Sequence, residues 1–338
     1  MRIAIQKNQR GFTKRWIKYC EGNSIEYILI DVFENKSFHQ VMNCDAFYWN
    51  ISHENHQDMK FGLQMIKAIE SAGVFVFPST EQLWHFDDKI AQNYFFRLNN
   101  IEYPETQIVY SLDQAKSILD NAQYPLIGKL RRGSASSNVF IIKSRRQGLK
   151  KVRKAFNRGY SLYNVVSRYR DVLKKSKTFN KWLKNAVKML FRLLVPPSYA
   201  KHLPKEKGYF IFQEFVANSG KDTRVVVVGD KAVALQRRTR DNDFRASGSG
   251  LLEFPNDKLD KLYIQKAFEI VDKLQVNSMG IDFVKSLSGR IYAIEMSYGF
   301  PSERFLDGAS GYWDKSLNFI KSEINLQEWM IELGLNSK

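Results

Sequence analysis

Cysteine, histidine and long apolar runs are scarce in this chain, and each shortage excludes a class of protein. Two cysteines in 338 residues cannot form a disulfide framework, which predicts a reducing, cytoplasmic location. The five histidines form no transition-metal set. No apolar run approaches the roughly 18 residues that a membrane span needs. Residues 1–7 are expected to form a strand rather than a secretory signal, because no long apolar core follows them.

Several catalytic and nucleotide-binding motifs are also missing. No Gly-x-Gly-x-x-Gly follows the first predicted strand, which argues against a dinucleotide site there. The Gly-Lys-Ser/Thr of a Walker loop is absent, and so is any Ser–His–Asp or Cys–His arrangement for nucleophilic catalysis.

The excess of positive over negative charge is confined to one segment. The formal net charge is +17, and residues 143–207 contain 20 Lys and Arg against two acids, Asp171 and Glu206. The rest of the chain is close to neutral. Within the segment, apolar and cationic residues alternate at helical spacing, which predicts an amphipathic helix. Its apolar positions are Phe179, Trp182, Leu183, Ala186, Val187, Leu190 and Leu194, and its cations are Lys181, Lys184, Lys188 and Arg192.

Three interpretations of this helix remain open. Its apolar side can pack on a core of the protein while the lysines face water. It can lie on an anionic membrane surface, or it can dock an anionic polymer.

The length of the chain predicts two or three domains. Residues 1–80 alternate strand and helix patterns, which is typical of a small α/β domain with a parallel sheet. We place a central domain at 81–210, with the basic insertion at about 145–207, and a C-terminal domain at 211–338. A closing helix is expected over Ser310–Ile320.

Two apolar, strand-forming runs near the C-terminus, Met279–Val284 and Arg290–Ser297, predict an antiparallel hairpin. A register in which Lys285 lies opposite the start of the second run puts Asp282 across from Ala293. Side chains repeat every two residues along a strand, so Asp282 then shares its face with the acid and the hydroxyl of the second run.

That acid and that hydroxyl belong to Glu295 and Ser297. Carboxylates on the inner face of an apolar hairpin are costly unless a cation meets them. Oxygen ligands of this kind suit Mg²⁺ that is bound together with substrate phosphates. The alternative is that Asp282 and Glu295 lie at strand ends and face water.

A second polar region follows the strand predicted over Tyr124–Lys129. The loop Arg131–Asn138 is rich in small residues, and its N–H groups and hydroxyls could fold over a polyphosphate, although an ordinary turn has the same composition. Other charged residues at strand ends and in loops are Lys89, Lys129, Arg224, Arg237, Arg238, Arg245, Asp222, Asp282 and Glu295. Lysines around a polyphosphate, with metal-binding carboxylates beyond it, are typical of phosphoryl transfer.

Five short motifs occur in a particular order: Gln213–Val216, Gly220–Val225, Arg237–Arg238 through Asp243–Arg245, Gly280–Asp282 and Ile294–Ser297. In this order the chain resembles the ATP-grasp superfamily of carboxylate–amine ligases. It is most similar to the branch that contains the ribosomal-protein glutamate ligases, the lysine-biosynthesis carrier-protein ligases and bacterial glutathione synthetase. The resemblance runs from about Ser79 to Ile320, apart from the basic insertion. It implies two α+β lobes that clasp ATP.

The resemblance also implies a role for each matching residue. Contacts with ATP are implied for Lys89, Lys129, Gly133, Ser134, Gln213, Glu214, Phe215, Val216 and Asp222. The lysines would contact phosphates, the loop Gly133–Asn138 would cover them, residues 214–216 would line the adenine, and Asp222 would bind the ribose. Arg224, Arg238 and Arg245 would face the γ-phosphate and the substrate carboxylate as catalytic residues.

The implied metal ligands are Asp282, Glu295 and Ser297, which would hold one or two Mg²⁺, with Mn²⁺ as an alternative ion. Two positions depart from the family pattern. Ser297 stands where relatives carry Asn, and a hydroxyl is a shorter and weaker ligand than an amide oxygen. The loop over the phosphates keeps Gly133 alone, where relatives carry several glycines.

The implied reaction passes a γ-phosphoryl group to a carboxylate, and an amine attacks the resulting acylphosphate. The basic, aromatic-containing segment predicts a large anionic acceptor, such as a uronic-acid-containing cell-surface polysaccharide, amidated at the inner membrane face. Glutamylation of a peptide or protein tail is the alternative reaction. The alternative of a different class is a non-catalytic protein with a vestigial ATP site that binds anionic membranes or nucleic acid. No compact motif for sequence-specific nucleic-acid recognition is present.

Overall fold

The computed structural model describes residues 1–8, 11–133, 138–162, 176, 178–195, 203–240, 244–306 and 308–336. The chain divides into two compact units. Unit 1 consists of Met1–Ser52, Gln57–Pro104 and Val216–Lys338, and unit 2 consists of His53–His56 and Glu105–Phe215.

The N-terminal part of unit 1 is built on a four-stranded parallel sheet. Its strands are β1 (Arg2–Gln6), β2 (Glu26–Ile30), β3 (Ala46–Tyr48) and β4 (Phe75–Phe77), in the order β2-β1-β3-β4. The helices of this region are α1 (Thr13–Gly22), α2 (Ser37–Met42), α3 (His56–Ser71), α4 (Thr80–Leu83) and α5 (Lys89–Leu98). Parallel strands need crossover connections, and α1, α2 and α3 supply them. The predicted N-terminal parallel sheet is confirmed.

Buried side chains account for this sheet. Ile3, Ala4 and Ile5 are consecutive and fully buried, as expected for a strand that is covered on both faces. Trp16 of α1 packs edge-on against Tyr48, with ring centroids 5.4 Å apart. These contacts keep α1 on the sheet.

Unit 2 contains a four-stranded sheet in which every pairing is antiparallel. Its strands are β5 (Thr106–Val109), β6 (Leu126–Lys129), β7 (Val139–Ile142) and β8 (Phe210–Glu214), in the order β5-β8-β6-β7. Its helices are α6 (Leu112–Asn121), α7 (Arg145–Asn157) and α8 (Phe179–Leu194). The core combines Val152 and Ala155 of α7 with Leu119 of α6 and Phe210 of β8.

Helix α8 confirms the predicted amphipathic helix. Its burial, however, contradicts the expectation that its apolar side packs on a core of the protein. Among the described residues of α8 none is buried. The interpretation in which its apolar side packs on a core of the protein is therefore wrong. The neighbouring basic helix α7 does bury its apolar side, at Gly148, Val152 and Ala155.

The C-terminal part of unit 1 contains a seven-stranded sheet. Its strands are β9 (Lys221–Val228), β10 (Lys231–Arg238), β11 (Leu252–Glu253), β12 (Ser278–Lys285), β13 (Ile291–Ser297), β14 (Gly311–Trp313) and β15 (Phe319–Lys321). The order is β13-β12-β9-β10-β14-β15, and β11 pairs with β10. The helices are α9 (Lys261–Leu274), α10 (Glu303–Leu306) and α11 (Leu326–Leu335), with a 3-10 turn at Asn256–Lys258.

The helix expected over Ser310–Ile320 is wrong, because this stretch forms the antiparallel strands β14 and β15. Gly311 explains the difference. A Cβ atom at this position would collide with the backbone oxygen of Ile320. The two strands can therefore pack closely here only because residue 311 is a glycine. The aromatic residue Trp313 is 3% exposed and stacks edge-on against Phe319 across the pair.

Candidate functional site

The hairpin of β12 and β13 brings two carboxylates directly opposite each other. Lys285 pairs with Ile291, and the register then shifts between Asp282 and Phe283. Because of this bulge, Asp282 lies across from Glu295, and the expected pairing with Ala293 is wrong. The extra residue, Ile294, shifts the strand beyond it by one position relative to β12. The two acids therefore share one face of the sheet more closely than a regular hairpin would allow.

The same face continues across β9 and β10. Asp282 pairs with Arg224 on β9, and Asp222, two residues before Arg224, pairs with Arg237 on β10. Directly opposed residues, and residues two apart on one strand, lie on the same face of a sheet. A charged row of two arginines and three carboxylates therefore crosses four strands.

The arginines and carboxylates form a tight network. Arg224 donates from Nε and Nη2 to the two oxygens of Asp282, at 2.6 and 2.8 Å. Arg237 donates in the same two-pronged way to Asp222, at 2.6 and 2.9 Å. The Nη2 of Arg237 also donates to Asp282 at 2.8 Å. One buried guanidinium thus joins two carboxylates, and such paired, charge-assisted bonds have a strict geometry.

Burial and the arginines act in opposite directions on the two acids. Burial is the largest influence on Asp222 and raises its pKa to about 6 despite Arg237. Burial also acts to raise the pKa of Asp282, but Arg224 and Arg237 together outweigh it and hold that pKa below its ordinary value. Asp282 is therefore the firmly ionised member of the pair.

A lysine at the start of α5 meets the other carboxylate of the hairpin. Asp88 caps α5 by accepting from the backbone N–H groups of Ile90 and Ala91, which places Lys89 at the first helical position. The Nζ of Lys89 lies 3.0 Å from Glu295 Oε1. Burial acts to lower the pKa of Lys89, but Glu295 and the neighbouring acids more than offset it and raise that pKa.

Gln92 holds α5 against the strand that carries Glu295. Its side chain donates from Nε2 to the backbone oxygen of Met296 at 2.8 Å and accepts from the backbone N–H of Met296 at 3.2 Å. It also donates to the backbone oxygen of His85 at 3.1 Å. Gln92 is one turn beyond Lys89, so these bonds set the distance between Lys89 and Glu295.

The three expected metal ligands differ in how well they fit Mg²⁺. Both oxygens of Asp282 are taken by arginines, and the hydroxyl of Ser297 donates to the backbone oxygen of Gly299 at 2.8 Å. Glu295 has 37% of its side chain exposed and keeps an oxygen outside the contact with Lys89. Within the described ranges, no group of three or more His, Cys, Asp and Glu side chains converges on one point. Glu295 therefore fits a magnesium ion that arrives with phosphates, whereas Asp282 does not.

Two expected catalytic arginines lie outside the charged row. Arg238 pairs with Lys221 in the strand register, which places it on the opposite face from Arg237, and there it contacts Glu253. The guanidinium of Arg245 lies 5.8 Å from the centroid of the Phe244 ring. Val216 begins the C-terminal part of unit 1 and is half-buried.

The remaining expected ATP contacts belong to unit 2. Lys129 ends β6 and is buried, and Gln213 donates from Nε2 to the hydroxyl of Thr106 at 2.8 Å. Glu214 is exposed at the end of β8, Phe215 is half-buried, and Gly133 follows the buried Arg132. Ser134 lies outside the described residues.

Sequence reasoning missed two residues that build this site. Arg237 is one of the charged residues of the sequence, but the family resemblance assigns the catalytic role to its neighbour Arg238. The alternation of the strand could have separated them, because Asp222 and Arg237 occupy facing positions around the Gly229–Asp230 turn. Gln92 left no signal, because a helical glutamine is ordinarily a surface residue.

Comparison with known proteins finds a matching domain and a distant relative. The family model of the RimK-like ATP-grasp domain matches residues 199–299. A probable alpha-L-glutamate ligase from Cellvibrio japonicus is 20% identical over 305 residues, which cover 86% of this chain and 85% of that protein.

Two solved structures share the fold. N5-carboxyaminoimidazole ribonucleotide synthetase from Thermotoga maritima matches with a TM-score of 0.58 and 15% identity, over 99% of this chain and 76% of that one. The ATP-grasp ligase PsnB, complexed with minimal precursor, Mg and ADP, matches with a TM-score of 0.57 and 10% identity, over 99% and 97%. The charged row, Glu295 and Ser297 all fall within the matched residues 199–299. The chain therefore contains a RimK-like ATP-grasp domain over residues 199–299, and these similarities support a carboxylate–amine ligase.

Proposed function

We propose that this protein uses ATP and Mg²⁺ to join a carboxylate to an amine through an acylphosphate, and that one of the two substrates is an amino acid. The observation that carries the proposal is the charged row on β9, β10, β12 and β13, with Lys89 against Glu295 beside it. Two anions must approach each other in this reaction, and a preorganised set of cations lowers their repulsion.

Within the row, the two arginines differ in their access to a substrate. The side chain of Arg224 is 16% exposed, and its Nη1 atom is not used in the bonds to Asp282. The side chain of Arg237 is 6% exposed and is enclosed by two carboxylates. We assign Arg224 to contact with the γ-phosphate or the substrate carboxylate. Arg237, Asp222 and Asp282 then position Arg224, and ribose binding by Asp222 is not favoured because Arg237 holds its carboxylate.

The lysines and Glu295 complete the assignment. Lys89 and Lys129 contact phosphates, and Glu295 is the protein carboxylate that holds Mg²⁺, which neutralises phosphate charge when bound. A polyphosphate competes with Glu295 for Lys89, so binding of ATP frees Glu295 to hold the ion. Gly133, Gln213, Glu214, Phe215 and Val216 keep their implied contacts with the nucleotide, and Arg238 and Arg245 are assigned to substrate binding.

The bond changes follow from this assignment. A carboxylate oxygen of the acid substrate attacks the γ-phosphorus, the bond from that phosphorus to the β–γ bridging oxygen breaks, and ADP leaves with the electron pair. The amine nitrogen then attacks the acyl carbon and loses a proton, and phosphate leaves with the acyl C–O electron pair. The products are an amide, ADP and phosphate. Positively charged groups assist both steps because each one develops or transfers negative charge on oxygen.

Two substrate classes compete. Glutamate is the first choice, because the relative from Cellvibrio japonicus is named as a probable alpha-L-glutamate ligase, and a peptide or protein tail would be its acceptor. The second is a large anionic acceptor such as a uronic-acid-containing polysaccharide, and the excess of 20 cations over two acids in residues 143–207 favours it.

A release assay tests the proposal. ADP is measured with ATP and Mg²⁺ across a matrix of acids and amines that includes L-glutamate, glutamate-ended peptides and glucuronate oligosaccharides. ADP should appear only when an acid and an amine are both present, and the product should weigh their sum minus one water. Glu295→Gln should lower the rate by about 10²–10³. Glu34→Gln, in an exposed ion pair with Lys36, is the matched control and should leave the rate unchanged.

Three results would contradict the proposal. ADP release that is independent of the amine would exclude amide synthesis, and an unaltered rate in Glu295→Gln would remove Glu295 from the mechanism. ATP that neither binds nor turns over would favour the non-catalytic class.

A further inference from the structure

Helix α8 carries a wide apolar face, and no other part of the described chain covers the centre of this face. The centre of this face is open: Phe179 is 74% exposed, Leu183 47%, Leu190 59% and Leu194 84%. The half-buried residues of α8 are Asn185, Ala186, Met189 and Arg192. The helix is thus half-buried along one flank, and the middle of its apolar face is exposed to solvent.

The position of each residue around the helix sharpens this picture. At about 100° per residue, the apolar side chains span roughly 200° of the circumference, and the four cations fall within roughly 80° on the other side. Helix α8 contains no Asp or Glu. An apolar face of this width, opposite a polar side whose only charged residues are cations, is typical of helices that lie in the plane of a membrane surface.

The surroundings of α8 add to its positive charge. Of the two acids in residues 143–207, Glu206 is 3% exposed and receives a hydrogen bond from the hydroxyl of Tyr209. Arg131 lies 3.7 Å from the same carboxylate. This acid is therefore turned inward and does not offset the exposed cations of α8. Asp171 lies outside the described residues.

Length excludes a transmembrane arrangement for α8. Its 16 residues extend about 24 Å, which is less than the roughly 30 Å of a hydrocarbon core. More generally, no helix in the described part of the chain is both long and apolar enough to cross a membrane. Trp182 lies near the border between the apolar and cationic sides, where aromatic residues are favoured in membrane-surface helices.

We propose that α8 docks this protein on an anionic lipid bilayer, with the apolar face of Phe179–Leu194 in the interface and its four cations against lipid headgroups. Charge complementarity selects this occupant. A second copy packed through the same apolar face would leave the cations of both helices on the far sides without partner charges, and a nucleic acid or acidic polymer would leave the apolar face in water. The proposal does not depend on ligase activity, and it is tested without ATP.

The test is co-sedimentation of the full chain with vesicles of phosphatidylglycerol and phosphatidylcholine, and with phosphatidylcholine alone. Leu183→Gln/Leu190→Gln removes apolar area without altering charge or helix propensity. We expect binding to the anionic vesicles alone, and a loss of at least tenfold in the double variant. Lys181→Gln/Lys188→Gln should lower binding roughly thirtyfold, from about one kcal/mol per charge.

The control removes the same charge from α7, whose apolar side is buried. Lys150→Gln/Arg153→Gln should change binding less than threefold, because these exposed side chains lie on a helix without an apolar surface to insert. Circular dichroism of each variant reports whether it is folded.

Three results would overturn the proposal. Equal recovery of wild type and Leu183→Gln/Leu190→Gln would show that the apolar face is not used. A vesicle-free dimer that this variant converts to a monomer, measured by light scattering, would make a second copy the occupant. A third result would be tight binding of a single-stranded oligonucleotide that is unchanged in this variant, together with no preference for anionic vesicles. This would show that the cations bind an anionic polymer instead of a membrane.

Discussion

Arg237 offers the sharpest test of how the charged row is held together. Replacing it with glutamine removes the guanidinium that bridges Asp222 and Asp282, while Arg224 still holds Asp282. Asp222 is then left as a buried carboxylate without its two-pronged partner. Breaking a buried ion pair by removing one member costs about 3–5 kcal/mol. For a unit of this size, that corresponds to a fall of roughly 10 °C in Tm.

The cost should depend on pH, because protonation relieves the unpaired acid. Burial already raises the pKa of Asp222 to about 6 in the intact network, and loss of Arg237 raises it further. A group whose folded-state pKa is raised stabilises the fold at low pH, and this stabilisation is lost as the pH rises through that pKa. The deficit of Arg237→Gln should therefore be roughly 2 kcal/mol smaller at pH 5 than at pH 8.

Chemical denaturation at pH 5 and pH 8 measures this, with two matched variants. Arg238→Gln, the adjacent arginine on the opposite face, should change the free energy of unfolding by less than about 0.5 kcal/mol, because it lies in an exposed pair with Glu253. Asp222→Asn/Arg237→Gln should recover at least half of the loss at pH 8. An equal deficit at both pH values, together with no recovery in the double variant, would refute this account of the network.

Three further predictions concern single positions. Burial raises the pKa of Asp58 to about 6, so wild type should lose stability from about pH 4 to pH 6. Asp58→Asn should lack this loss and gain about 3 kcal/mol relative to wild type at pH 7, measured by urea unfolding at pH 4 and 7. Gln92→Leu should cost about 1–3 kcal/mol because the backbone of Met296 loses both partners; an unchanged unfolding midpoint would contradict this. Ser297→Asn should lower the Mg²⁺ concentration needed for half-maximal ADP release, and an unchanged requirement would exclude this position from the metal site.

The fold could be anticipated from the sequence where local patterns are strong. Strand and helix alternation in residues 1–80 predicted the parallel sheet, and the apolar runs around residues 285–290 predicted the hairpin, because both signals depend on neighbouring residues. The helix prediction for Ser310–Ile320 is wrong because Gly311 pairs with Lys321 across an antiparallel strand pair, ten residues away in the sequence. Local propensity does not contain that information.

The candidate site shows the same division. The acids Asp282 and Glu295 stood out as charges in apolar strands, but their direct opposition depends on a bulge that the sequence does not mark. Arg237, and not Arg238, lies in the charged row because of the face of β10 on which each side chain lies. This placement depends on Asp222 in the neighbouring strand.

By itself, the sequence determined the residue types of this protein: a basic segment, two acids in an apolar hairpin, arginines at strand ends, and an ordered set of motifs. The tertiary structure alone decided which charges meet. It placed Arg237 between two carboxylates, bound Lys89 to Glu295 through a helix that Gln92 holds in place, and left the apolar face of α8 open. The physical reason is that ion pairing and burial are set by distances across strands and helices, whereas a sequence specifies only order along the chain.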